Sequence, residues 1–129
     1  MRYAQINSMY VCGIDLHARE MYACVMNKTG EILFHRNMRT DFDQFKKKMQ
    51  PFLPNLVVGV ESTYMYYWLA DACKAEGIPF YLGHAFYMKT IHGGKTKTDR
   101  IDCRKIADLM RTNYYPLAYD YPKEMRDTR

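Results

Sequence analysis

Four acidic residues stand where carboxylates need a reason to be. Asp15 lies inside the apolar run Tyr10-Val-Cys-Gly-Ile-Asp-Leu16, and Glu61 directly follows Leu56-Val-Val-Gly-Val60. A lone carboxylate in such a run is costly to bury unless something pairs it. Asp99 and Asp102 are three apart on a predicted helix and so would share one of its faces. Four converging carboxylates would repel one another, and a divalent cation resolves that repulsion. Hard oxygen ligands suit Mg²⁺ or Mn²⁺. Two such ions about 3.5–4 Å apart can clamp the attacking and leaving oxygens of a phosphodiester. Each acid also has a purely structural alternative. Asp15 could cap a turn at a strand end, and Glu61 could complement a helix dipole. Asp99 could be an N-cap or first-turn acid, and Asp102 could pair with a nearby arginine.

A basic cluster surrounds the last pair: Lys89, Lys95, Lys97, Arg100, Arg104 and Lys105. Cations beside catalytic acids are what a phosphate backbone requires, although a solvated helix face and a basic loop would look the same. The string Gly93-Gly94-Lys95-Thr96 lacks the spacing of a phosphate-binding P-loop and the strand that should precede it.

The elements that must position these groups are readable from periodicity. Tyr10 to Leu16 predicts a buried strand, Met21 to Met26 a second, and Glu31 to Met38 a third. The short polar links between them, one ending in Gly30, make the three an antiparallel meander. Thr40 reads as the cap of a helix carrying Phe42, Phe45 and Met49, which Pro51 and Pro54 end. Leu56 to Val60 suits a central strand covered on both faces. Ser62 or Thr63 can cap a helix over Tyr64 to Glu76 that stops at Gly77, and Ile78 to Leu82 is a further strand. A short helix over Ala85 to Ile91, a basic loop to Thr98 and a helix over Asp99 to Thr112 complete the order. A meander followed by alternating helices and parallel strands predicts an α/β fold. Its sheet is mixed and ribonuclease-H-like, with the first three strands antiparallel and helices flanking it.

The chain has 129 residues, a length suited to one domain. Residues 1–113 read as that domain, and 114–129 as a linker toward a C-terminal domain beyond it. The formal charge of +5 points weakly to polyanionic partners. No run approaches the ~18 apolar residues of a membrane span, so the reading is cytoplasmic, with no membrane partner. Cys12, Cys24, Cys73 and Cys103 have no zinc spacing and read as reduced core residues. The histidines share no ligand spacing either. The 12 tyrosines could stack on bases, but half-buried strands and helices use tyrosine equally well.

The segments Gly13-Ile-Asp-Leu-His17, Val60-Glu-Ser-Thr63 and Lys97-Thr-Asp-Arg-Ile-Asp-Cys-Arg-Lys-Ile-Ala107 resemble the transposases of insertion-sequence family one-ten. The resemblance covers about residues 10–126, and the K-T-D-x-x-D segment leading into Ile-Ala is its most specific piece. It implies a RuvC-like domain whose Asp-Glu-Asp-Asp tetrad falls on Asp15, Glu61, Asp99 and Asp102, as catalytic and metal-binding residues. It implies Mg²⁺ dependence, cleavage and exchange of DNA strands that mobilise an insertion sequence, and a structured guide RNA as partner. It further implies a homo-oligomer on that RNA and DNA, associated with the nucleoid. Cys103 stands where Ala is usual, and Tyr64 where many members have Gly. The family's nucleophilic serine belongs to a C-terminal domain, and neither Ser8 nor Ser62 matches its context. By itself the chain is therefore expected to bind metal and nucleic acid without completing recombination. Two other classes remain open from the residues: a non-catalytic RNA/DNA-binding module, and a stand-alone RuvC-type junction nuclease.

Overall fold

The computed structural model describes residues 2–62, 65–84 and 102–118. Five strands form one sheet: β1 (Tyr10–Leu16), β2 (Glu20–Asn27), β3 (Ile32–Arg39), β4 (Leu56–Glu61) and β5 (Phe80–Gly83). Their order is β3-β2-β1-β4-β5. The first three are antiparallel, while β4 pairs parallel to both β1 and β5. This is the mixed, ribonuclease-H-like sheet that the meander predicts.

Alternation along the strands divides the core in two, since successive side chains point to opposite faces. On one face Cys12, Ile14, Leu16, Val58 and Val60 pack against helices α1 (Phe42–Met49) and α2 (Tyr67–Ala75) through Phe45, Met49, Leu69 and Cys73. On the other face Val11, Cys24, Met26 and Val57 pack against α3 (Cys103–Arg111) through Cys103, Ile106, Ala107 and Met110.

The helix starts differ from expectation. Asp41, not Thr40, caps α1, accepting the Asp43 N–H at 2.9 Å. Thr40 still belongs to the hairpin: its N–H donates to Arg19 O at 3.1 Å and its hydroxyl to His17 O at 2.8 Å. Helix α2 begins at Tyr67 without a side-chain cap. Tyr66 holds the N-cap position, four residues past Ser62, whose N–H instead continues the sheet by donating to Gly83 O at 2.9 Å. Gly77 closes α2 with φ 72°, as a terminal glycine should. Helix α3 begins only after Asp102, whose Oδ1 accepts the Lys105 N–H at 2.9 Å. Asp102 is thus the extended N-cap rather than a residue inside α3, and Asp99 lies outside the described residues. The predicted helix over Ala85 to Ile91 and the basic loop after it lie outside the described residues, as does Thr63.

The first residues of the expected linker are packed onto the domain. Tyr115 is fully buried against the α3 side of the sheet. Pro116 and Leu117 bridge to Tyr3 and Gly83, and the Ala118 N–H donates to Leu82 O at 2.8 Å. An aromatic ring four residues past the end of α3, facing a glycine-lined sheet, has apolar surface to bury there. The rest of that segment, 119–129, lies outside the described residues.

Candidate metal and nucleic-acid site

The register places the first two acids side by side. Ile14 pairs with Val60 across the parallel β1–β4 ladder, so Asp15 and Glu61 are the next position on each strand. Both lie on the α3 face, two residues beyond Gly13 and Gly59, which are themselves paired. Those glycines set where the helix can lie. A Cβ on Gly13 would meet Cys103 O at 2.3 Å and Ala107 N at 2.5 Å, and one on Gly59 would meet Met110 Sδ at 2.5 Å. The N-terminal turn of α3 therefore rests on backbone at the Gly13 level, and the next level, with Asp15 and Glu61, emerges past its N-terminus.

Asp102 stands at that same end as the cap of α3. The Cys103 thiol registers the neighbourhood. Burial pushes it up to about 12, and Cys24, Asp102 and Asp15 push in the same direction. Burial likewise raises the Tyr115 phenol well above its ordinary value, with Glu61 adding to the effect. The tyrosine hydroxyl donates to Val60 O, the carbonyl just before Glu61. Asp15 Oδ1 and Glu61 Oε2 are sealed from solvent, and the partial positive charge of a helix N-terminus favours anions in this position.

His17 is a contact that spacing on a strand could have revealed. Two residues beyond Asp15 it shares Asp15's face, and its Nε2 lies 3.2 Å from Asp15 Oδ2. Tyr115, by contrast, carried no signal in the sequence beyond its aromatic character.

The donor chemistry suits a hard divalent cation, since Asp15, Glu61 and Asp102 offer only carboxylate oxygens. Among the described residues, however, no three His, Cys, Asp or Glu side chains are gathered closely enough to hold a metal ion. Asp102 directs Oδ1 into its own helix. Asp99 lies outside the described residues. Of the predicted basic cluster, Arg104 and Lys105 are exposed on the first turn of α3. They line a shallow surface groove with Met26, Gly30, Ile32 and Asp108. Lys89, Lys95, Lys97 and Arg100 lie outside the described residues. No helix among the described residues is long and apolar enough to cross a membrane.

No curated protein matches the chain. Comparison with known families aligns residues 12–126 with the DEDD transposases of IS110 type, described as transposase. Among the described residues, that span holds β1 from its third residue, the four later strands and the three α-helices. With this sheet order and these acids at the ends of its central strands, the chain belongs to the DEDD transposase family of IS110 type.

Proposed function

We propose that this chain is the metal-dependent, RuvC-like catalytic domain of its transposase, acting in DNA strand cleavage and exchange. The observation that carries the reading is the side-by-side placement of Asp15 and Glu61 at the ends of the two central strands, past the N-terminus of α3. Asp15 and Glu61 would hold Mg²⁺ or Mn²⁺, with Asp99 and Asp102 from the segment entering α3 completing the set. A divalent cation bound there supplies positive charge for the phosphodiester oxygens as charge develops on them. His17 fixes the Asp15 carboxylate through its Nε2 contact. Arg104 and Lys105, exposed on the first turn of α3 directly after the Asp102 cap, would hold the phosphate backbone without reading its sequence. Lys89, Lys95, Lys97 and Arg100 would extend that basic surface. A structured guide RNA and assembly as a homo-oligomer on nucleic acid, at the nucleoid, are part of the same reading.

One observation favours a non-catalytic binding module instead: Asp102 already has a structural duty as a cap. Calorimetric Mn²⁺ titration of the chain separates the two. Saturable binding that is lost in both Asp15→Ala and Glu61→Ala is expected. Binding that survives both substitutions would sink the metal-centre reading, and so would failure of the wild type to bind Mn²⁺ even with DNA and RNA present.

A further inference from the structure

The level of the sheet that bears the two acids continues across the whole sheet. Glu61 pairs with Gly83 on β5, Asp15 pairs with Tyr22 on β2, and Tyr22 pairs with Asn37 on β3. One transverse row therefore reads Gly83, Glu61, Asp15, Tyr22, Asn37, all facing the α3 side. The row behind it reads Tyr81, Gly59, Gly13, Cys24, His35, and α3 lies over its centre. Helix α3 thus leaves the acid row uncovered by its own turns.

Tyr22 is the residue in that row whose presence the fold does not explain. Its strand neighbours Met21 and Ala23 are fully buried, whereas Tyr22 is 39% exposed. Among the described residues its ring stacks on no other ring and its hydroxyl makes no hydrogen bond. It stands directly opposite Asp15, where paired side chains have Cβ atoms about 4.5–5.5 Å apart. Beyond it, the Asn37 amide donates to Glu20 Oε2 at 3.0 Å, which holds the outer end of the row in a polar clasp. Farther along β2 from Tyr22, the exposed cations Arg104 and Lys105 on the first turn of α3 line a groove with Met26 and Gly30. An accessible aromatic ring next to a phosphate-directed acid pair and a basic helix end has the composition of a single-strand platform, in which cations track the backbone and rings take the bases.

We propose that Tyr22 is a positioning residue that stacks on a base of the nucleic-acid strand whose phosphate lies at Asp15 and Glu61. This rests on the nucleic-acid reading given above and adds the path of the strand: across the β1–β2 side of the sheet, away from β5. Stacking there would orient the strand without selecting its sequence, because every base presents a π-face.

The test is binding of a short fluorescent single-stranded oligodeoxynucleotide, followed by anisotropy at several salt concentrations. Tyr22→Ala should weaken binding about tenfold, while Tyr22→Phe should bind like the wild type. The salt slope should be unchanged in Tyr22→Ala, because no charge is lost, and should flatten in Arg104→Ala with Lys105→Ala. An otherwise identical oligonucleotide with abasic sites should bind the wild type more weakly and Tyr22→Ala no more weakly than the intact one does. A wild type indifferent to abasic sites overturns the proposal whatever the fold of the variants. So does Tyr22→Ala binding as tightly as the wild type, and in that case the charge-dependent nucleic-acid reading survives. No binding by the wild type at any salt overturns both.

Discussion

Asp102 uses Oδ1 to accept the Lys105 N–H at 2.9 Å, which satisfies one of the first free donors of α3. The proposed metal site would draw on the same carboxylate, so capping and metal binding would share a single side chain. Substitution can separate them, because asparagine caps a helix about as well as aspartate while carrying no charge. Asp102→Ala should lower stability by about 1 kcal/mol. Asp102→Asn should leave stability within a few tenths of that of the wild type and still abolish Mn²⁺ binding and strand cleavage. Urea unfolding beside metal titration of the two variants checks this. Full metal binding in Asp102→Asn would assign Asp102 to the helix alone. His17 poses a related question at Asp15, where its Nε2 at 3.2 Å holds one carboxylate oxygen in place.

At the scale of elements, the height of α3 above the sheet decides whether Asp102 reaches the level of Asp15. That height is set by Gly13, over which backbone atoms of Cys103 and Ala107 would lie 2.3 and 2.5 Å from any added Cβ. Backbone cannot yield as the end of a flexible side chain can, so the helix itself must shift. Gly13→Ala should therefore cost at least about 1–3 kcal/mol, the usual range for overpacking. It should also weaken metal binding although it touches no ligand. A Gly13→Ala chain that keeps the wild-type melting temperature and Mn²⁺ affinity would show that α3 is not placed by this contact. The strands were legible in the sequence because apolar runs of their length, bounded by turn residues, have few other solutions. The helix starts were less legible because caps depend on what the preceding backbone is already bonded to. Thr40 is held by Arg19 O, and Ser62 by Gly83 O, through tertiary contacts that no local pattern carries. Tyr115 was missed for the same reason. Its place in the core depends on Gly59 and Gly83, far away in the chain, leaving room for its ring.

Across the whole molecule, acidic groups that must stay protonated are built into both layers of the core. Cys12 and Cys73 lie on the α1–α2 side, and Cys24, Cys103 and Tyr115 on the α3 side. Burial raises every one of them: Cys24 to about 11, Cys73 and Cys103 to about 12, and Cys12 and Tyr115 well above their ordinary values. In the unfolded chain the thiols lose their protons near pH 9 and the phenol near pH 10. Above those values the folded state binds more protons than the unfolded state, so stability must fall as pH rises. Below about pH 9 both states are protonated at these groups, and their contribution to stability is fully present. Each group that remains protonated only in the folded state adds a slope of about 1.4 kcal/mol per pH unit. Urea unfolding under reducing conditions should therefore show little change from these groups between about pH 7 and pH 8.5, then a steep loss toward pH 11. Cys73→Ala tests the assignment, because Cys73 packs between α2 and the sheet on the layer opposite the acid row. That variant should be less stable at neutral pH through the atom it loses, yet its alkaline slope should be shallower by about one proton. An unchanged slope would mean that the thiols ionise without opening the core. Loss of both layers together above pH 9 would instead carry the acid row with it, since α3 and the ends of β1 and β4 are held by the same buried groups.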